Sequence, residues 1–216
     1  MAAHLPSGVD QGYDGEDPGV SMKAFLFVLV LGAGISSSAF SFTIQKKTPR
    51  SKEAKGSAAL RTGKGTKEEF RVRAGEMKKF ASQALTAKEA TKVATAAESL
   101  LKSAEAFKSD LSYGNALHHA HLVLGRASLL KGDIGGAKRQ LKLAGEVAGS
   151  PQLKSFGPNM TLARELLKKG EKDAVLQYID QVQVFWKSET AREKCAAWKK
   201  KIASGKIPDF GMNRWY

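Results

Sequence analysis

Residues 121–151 read HLVLGRASLLKGDIGGAKRQLKLAGEVAGSP, and they restrict the fold more than any other stretch of the chain. Leu124 and Gly125 lie before a Gly132-Asp133 pair, and Ala137, Leu141 and Ala144 follow it. Spacings of three and four put each set on one face of a helix, and the Gly-Asp pair turns the chain between them. Gly125 and Ala137 are small enough to let two antiparallel helices approach closely, while Leu124 and Leu141 fill the seam. The stretch predicts a helical hairpin.

The flanking sequence carries the same period. From about Glu68, EEFRVRAGEMKKFASQAL offers Phe70, Met77, Phe80 and Leu85 to one face. Thr86 and Glu89 have the spacing of a capping box. They open a stretch in which Val93, Ala97, Leu100, Leu101, Ala104 and Phe107 form an amphipathic stripe. SDLSYGN reads as a break. Near the C-terminus, TAREKCAAWKKKIAS predicts a helix with Ala191, Cys195, Trp198 and Ile202 turned inward, Cys195 serving as a small core residue rather than a reactive thiol. The tail GKIPDFGMNRWY has too much Gly and Pro for a helix and too many aromatics to stay in solvent, so it is expected to fold back on the domain. No segment alternates apolar and polar residues long enough to argue for a sheet. The fold class is all-α.

The hairpin resembles the tetratricopeptide repeat, whose pattern of roughly 34 residues runs W-x2-L-G-x2-Y, A-x3-F and P. His121, Leu124, Gly125 and Ser128 stand in the first helix, Ala137 and Leu141 in the second, and Pro151 closes the unit. His121 and Ser128 depart from the pattern, which has aromatics there. Setting Gly170 on Gly132 brings out a second copy: Leu162 and Ala163 fall on Leu124 and Gly125, and Val175, Ile179 and Val182 fall on Ala137, Leu141 and Ala144. The extra four residues of this 38-residue spacing are expected in a loop, GSPQLKSFGPNM. The fold expected is therefore tetratricopeptide-like antiparallel helix pairs with a C-terminal capping helix. From about Asn115 to Tyr216 the chain resembles a group of bacterial secreted proteins with a tetratricopeptide-like domain, on the residues GDIGGAKRQLKLAGEVAGSPQLKSFGPNMTLARELLKKGEKDAVLQYIDQVQVFW and the tail GKIPDFG. The resemblance implies architecture and export, brings no catalytic residues, and favours an interaction scaffold over an enzyme.

The N-terminal side divides by composition. Residues 22–41, MKAFLFVLVLGAGISSSAFS, have Lys23, an apolar run of 12 from Ala24 to Ile35, and a small-residue stretch. That is the layout of a signal peptide, with cleavage after Ala39 or Ser41. The alternative is a membrane anchor within 24–41, although an anchor usually needs roughly 20 apolar residues. Residues 1–21 hold four acids and no base, the wrong charge for a leader, and are expected to be an extension upstream of the true start. Residues 42–67 are rich in Lys, Arg, Gly, Ser and Thr and read as a disordered basic linker, leaving 68–216 as the helical domain. The expected location is exported, periplasmic or secreted.

A net charge of +14 with a pI of about 9.8 points to anionic partners. Loss of residues 1–41, which carry four acids and one base, would leave the remainder near +17. One cysteine, Cys195, excludes an internal disulfide and a cysteine-rich zinc framework. His118 and His121 share a helix face, but a zinc site usually needs a third ligand and the nearest acids in sequence are Asp110 and Asp133. With His119, they read as a packed helix face with partly exposed imidazoles, and no metal is assigned. Gly132–Gly136 lacks the Lys-Ser/Thr and preceding strand of a phosphate loop and reads as a turn. No catalytic residue and no cofactor are assigned. The expectation is a non-enzymatic scaffold of the bacterial envelope that holds a protein or peptide in its repeat groove. The alternative is a binder of anionic polymer or membrane surface through the linker and the Lys-rich helix, with nucleic acid disfavoured by export.

Overall fold

Five of the eight helices among the described residues start where the sequence supplies a side-chain cap. The structure, a computed structural model, describes residues 65–216. The extension 1–21, the segment 22–41 and nearly all of the linker 42–67 lie outside the described residues. Among those described there are eight α-helices, two short 3₁₀ turns and no strand, so the domain is all-α. The helices are α1 (Lys67–Ser82), α2 (Ala87–Ala104), α3 (Tyr113–Leu130), α4 (Ile134–Gly145), α5 (Pro151–Phe156), α6 (Thr161–Leu167), α7 (Lys172–Val182) and α8 (Glu189–Ala203).

Capping boxes open the first two helices. Thr66 and Glu69 exchange bonds at the start of α1, and Thr86 and Glu89 do so at α2. The first box went unread in the sequence, and it draws the helix start back into the expected linker by one residue, to Lys67. Side chains of Asp133, Ser150 and Ser188 cap α4, α5 and α8 by accepting from backbone N–H groups of the first turn.

Helix α3 is the axis of the domain. It is small or apolar around most of its circumference, and α1, α2 and α4 all pack against it. Helix α4 leans in turn on α6 and α7, and α8 packs on α7. The core runs continuously from Phe70 and Leu100 through Leu122 and Leu141 to Ile179, Trp198 and Phe210. All four residues predicted for the inner seam of the last helix, Ala191, Cys195, Trp198 and Ile202, are buried. The tail does fold back, with Phe210 and Asn213 buried.

Two expectations about breaks change. Tyr113, Gly114 and Asn115 belong to α3, because Gly114 is a packing residue: a Cβ there would sit 2.1 Å from the Gly149 carbonyl oxygen. The segment expected to be only a loop after Gly149 contains α5, started by Ser150 and by Pro151 in the first turn.

The turns α3–α4 and α6–α7 are built alike. Gly132 N–H donates to Leu129 O, Asp133 N–H to Ser128 O and Ile134 N–H to Gly132 O. The same three bonds recur 38 residues on, from Gly170 to Leu167, Glu171 to Leu166 and Lys172 to Gly170. Gly132 has φ +80° and Gly170 φ +85°. The pattern is a Schellman stop, in which the left-handed residue lets two late N–H groups reach back to the helix's last carbonyls.

Candidate functional site

Three helices meet at Gly125. A Cβ on it would stand 2.3 Å from Leu162 Cδ2, 3.1 Å from Gln140 Cβ and 3.3 Å from Ala137 O. Ala137, Leu141, Ala144, Leu162, Ala163, Val175, Ile179 and Val182 are all fully buried, and Leu124 is half-buried against the same core. The ten residues expected to pack the helix pairs therefore lie in or against one core. None of them lines an open groove.

A buried arginine lies next to Gly125. Arg126 is the only formally charged residue in the 18 of α3, and it is 6% exposed. Its Nη1 donates to the carbonyls of Phe80, Ala81 and Gln83, at 2.9, 3.3 and 2.7 Å. It thereby supplies donors to the unpaired carbonyls at the end of α1. Its Nε and Nη2 reach the Glu165 carboxylate on α6, at 2.8–3.1 Å. One side chain ties α1, α3 and α6 together.

Asn159 is a second such node. Fully buried, it donates to Ser82 Oγ at 2.9 Å, and its Oδ1 accepts from Thr161 N–H at 2.9 Å. Its carbonyl takes the Tyr178 hydroxyl at 2.9 Å, while its own N–H donates to His118 Nε2 at 3.1 Å. His118 in turn donates from Nδ1 to Ala144 O at 2.9 Å. Its two partners fix one neutral tautomer. Burial, reinforced by the nearby His121, pushes its pKa down to about 4.

The histidine row is more buried than expected. His118 and His119 are both inside, and only His121 remains half-exposed, its Nδ1 donating to Gln140 Oε1 at 2.8 Å. His119 donates from Nδ1 to the Asn115 carbonyl at 2.9 Å, and burial holds it well below the usual imidazole range. Among the described residues no three of His, Cys, Asp and Glu converge on a metal-sized space. Cys195 is buried, and burial raises its thiol to about 11. Two Ser-x-x-Lys spacings, Ser99 to Lys102 and Ser128 to Lys131, escape sequence reasoning, but Ser99 Oγ is taken by Arg73 at 3.0 Å and both lysines are exposed.

A recess lies beside Arg126. It is a cleft of about 540 Å³ between the α1–α2 connection, the end of α3 and α6. Ala84, Leu85, Leu129 and Leu130 give it apolar walls, and the Arg126–Glu165 pair forms one side. Because those two charges neutralise each other, the net charge of the rim comes from Lys168 and Lys169. Neither lysine makes an ion pair among the described residues. Leu130 is 49% exposed there. The cleft was not foreseen. Its sequence signal was the isolated Arg126 in an otherwise uncharged helix, together with a Leu129-Leu130 pair that one amphipathic face cannot absorb.

Comparison with family models, with curated proteins and with solved structures finds no match to this chain.

Proposed function

We propose that the protein is a non-enzymatic scaffold built from tetratricopeptide-like helix pairs, α3–α4 and α6–α7, with α8 closing the row. The reading rests on one observation: the two pairs turn on the same Schellman stop, with the same three hydrogen bonds 38 residues apart. Both pairs also place their aligned residues in the shared core.

The recess at the ends of α3 and α6 is where a partner binds. Helix α1 packs along α3 and reaches α6, so it occupies much of the surface that the first helices of two pairs would otherwise offer. What stays open is the cleft beyond the end of α1, with Leu85, Leu129 and Leu130 for an apolar side chain and Lys168 and Lys169 for a carboxylate nearby. A protein segment suits such a cleft better than a small metabolite, since the floor is open and offers few converging polar groups. The chain acts outside the cytoplasm in this reading, carried there by residues 22–41. Among the described residues no helix is long and apolar enough to cross a membrane.

A photo-crosslinking residue placed at Leu130 in the native host tests this. It should give discrete protein adducts, and the same residue at exposed Thr91 on α2 should give none. Adducts absent at Leu130, or equal at both positions, would refute the assignment of the cleft.

A further inference from the structure

A different face of the molecule carries apolar surface that packing leaves uncovered. Phe156 at the end of α5 and Met212 and Trp215 in the tail are 52%, 63% and 56% exposed. The tail is not loose there. Asn213 Nδ2 donates to the carbonyls of Phe156 and Pro158, both at 3.0 Å, and Met160 N–H donates to Asn213 O at 2.7 Å. Thr161 Oγ1 donates to Arg214 O at 2.9 Å. Backbone and buried amide groups anchor the segment, while its large side chains point outward.

Cations lie over two aromatic rings of the tail. Arg214 lies 5.3 Å from the Trp215 ring, and Lys78 Nζ lies 5.1 Å from the Tyr216 ring. Trp215 also borders a shallow recess of about 360 Å³ with Gly75, Lys78, Lys79, Ser82 and Gln83. Among the described residues no acidic side chain lines that recess, nor the narrower one beneath Tyr216. Exposed aromatics beside lysine and arginine match a bilayer interface, where rings settle at headgroup depth and cations meet anionic phosphates.

The ring geometry favours a bilayer over nucleic acid. Phe156 and Tyr216 stack on each other, with centroids 5.1 Å apart and planes 13° from parallel, and Lys78 lies over the Tyr216 ring. Arg214 lies over Trp215. Phe156 and Lys78 take up the Tyr216 ring face that a base would stack on, whereas a bilayer needs only apolar area and charge. We infer that Phe156, Met212 and Trp215, flanked by Lys78, Lys79 and Arg214, form a peripheral docking surface for membranes rich in anionic phospholipid. This inference is independent of the cleft at Leu130.

Trp215 reports on its own docking, because Trp186 and Trp198 are buried at 3% and 6% exposure. The full chain would be titrated with vesicles of brominated phosphatidylcholine, alone or mixed with brominated phosphatidylglycerol. Mixed vesicles should quench and blue-shift the emission, pure phosphatidylcholine far less, and Trp215→Phe should abolish the response. At about fivefold per lysine, Lys78→Gln with Lys79→Gln should raise the lipid needed about twenty-five-fold. If that double variant loses native circular dichroism, Lys79→Gln alone, at an exposed position, should still give about fivefold. Several outcomes would overturn the inference: vesicles that sediment the chain without moving Trp215 emission, as binding through residues 42–67 alone would; a quench that survives in Trp215→Phe; a titration that the lysine variants leave unchanged; or a Trp215 response to single-stranded oligonucleotide or to an envelope protein in place of lipid.

Discussion

At Gly125 a single hydrogen atom stands where any other residue would set a carbon 2.3 Å from Leu162 Cδ2. Leu162 is fully buried, so its side chain has no solvent to retreat into. Gly125→Ala should therefore cost about 1–3 kcal/mol, as should Ala137→Leu on the facing helix. Exposed Lys142→Gln should leave the thermal melt unchanged. Coincident melts for all three would show that no close contact exists there. This contact was legible, because small residues at helical spacing announce close approach. Arg126 and Asn159 were not, since whether a polar residue is buried depends on which distant groups can satisfy it. The histidines give a prediction of their own. His118 is held neutral, with a pKa of about 4 against an ordinary 6.5, so the unfolded chain takes up its proton first as pH falls. The stability it lends is full above about pH 6.5 and lost progressively toward pH 4. Between pH 7 and 5 that loss is about 2 kcal/mol for His118 alone, and His119 shifts in the same direction. The Asp110 carboxylate, held low chiefly by the Ser112 backbone N–H and also by Arg71, acts in the opposite range, its contribution disappearing only as pH falls below the ordinary carboxylate value. Urea unfolding at pH 7 and pH 5 separates the two, and equal midpoints would contradict the buried, neutral His118.

Among the elements, the helices with a regular apolar stripe were the readable ones. Val93, Ala97 and Leu100 in α2, and all four inner residues of α8, are buried as their spacing requires. Short α5 escaped because six residues carry too little periodicity to stand out between Gly149 and Gly157. The start of α3 escaped because a glycine placed for close packing looks the same in sequence as a glycine placed for a turn. At Gly132 and Gly170 the turn is the reason. Both have positive φ, and a Cβ on either would meet nothing within 4 Å. Substitution there introduces backbone strain without a clash. Gly132→Ala and Gly170→Ala should each cost about 1–2 kcal/mol, and nearly the same amount as each other, because the two turns share their geometry. Chemical denaturation of the two variants measures this directly. Costs that differ by more than about 1 kcal/mol would mean that the turns are not equivalent, and the case for a repeated helix pair would go with them.

At the scale of the whole chain, the bases of residues 42–67 and the described residues that line the cleft at Leu130 are different residues, and this allows the two functional readings to be separated. A chain of +14 is attracted to polyanions, and residues 42–67 hold eight of its bases and a single acid. The lysines of α8 are partly engaged already: Lys199 pairs with Asp180, and Lys194 lies 5.7 Å from the Trp186 ring. Among the described residues the cleft at Leu130 is held by Arg126, Glu165 and the core. Deleting residues 42–64 should accordingly lower the salt concentration that elutes the protein from heparin and flatten the dependence of binding on salt, since fewer counterions are released per complex. The same deletion should leave photo-crosslinking at Leu130 intact. Charge reversal at Lys168 and Lys169 should do the opposite, abolishing the crosslinks with a smaller change in heparin elution. If the linker deletion removes the crosslinks while circular dichroism stays native, partner binding belongs to the basic linker, and the cleft is no more than a gap between helices.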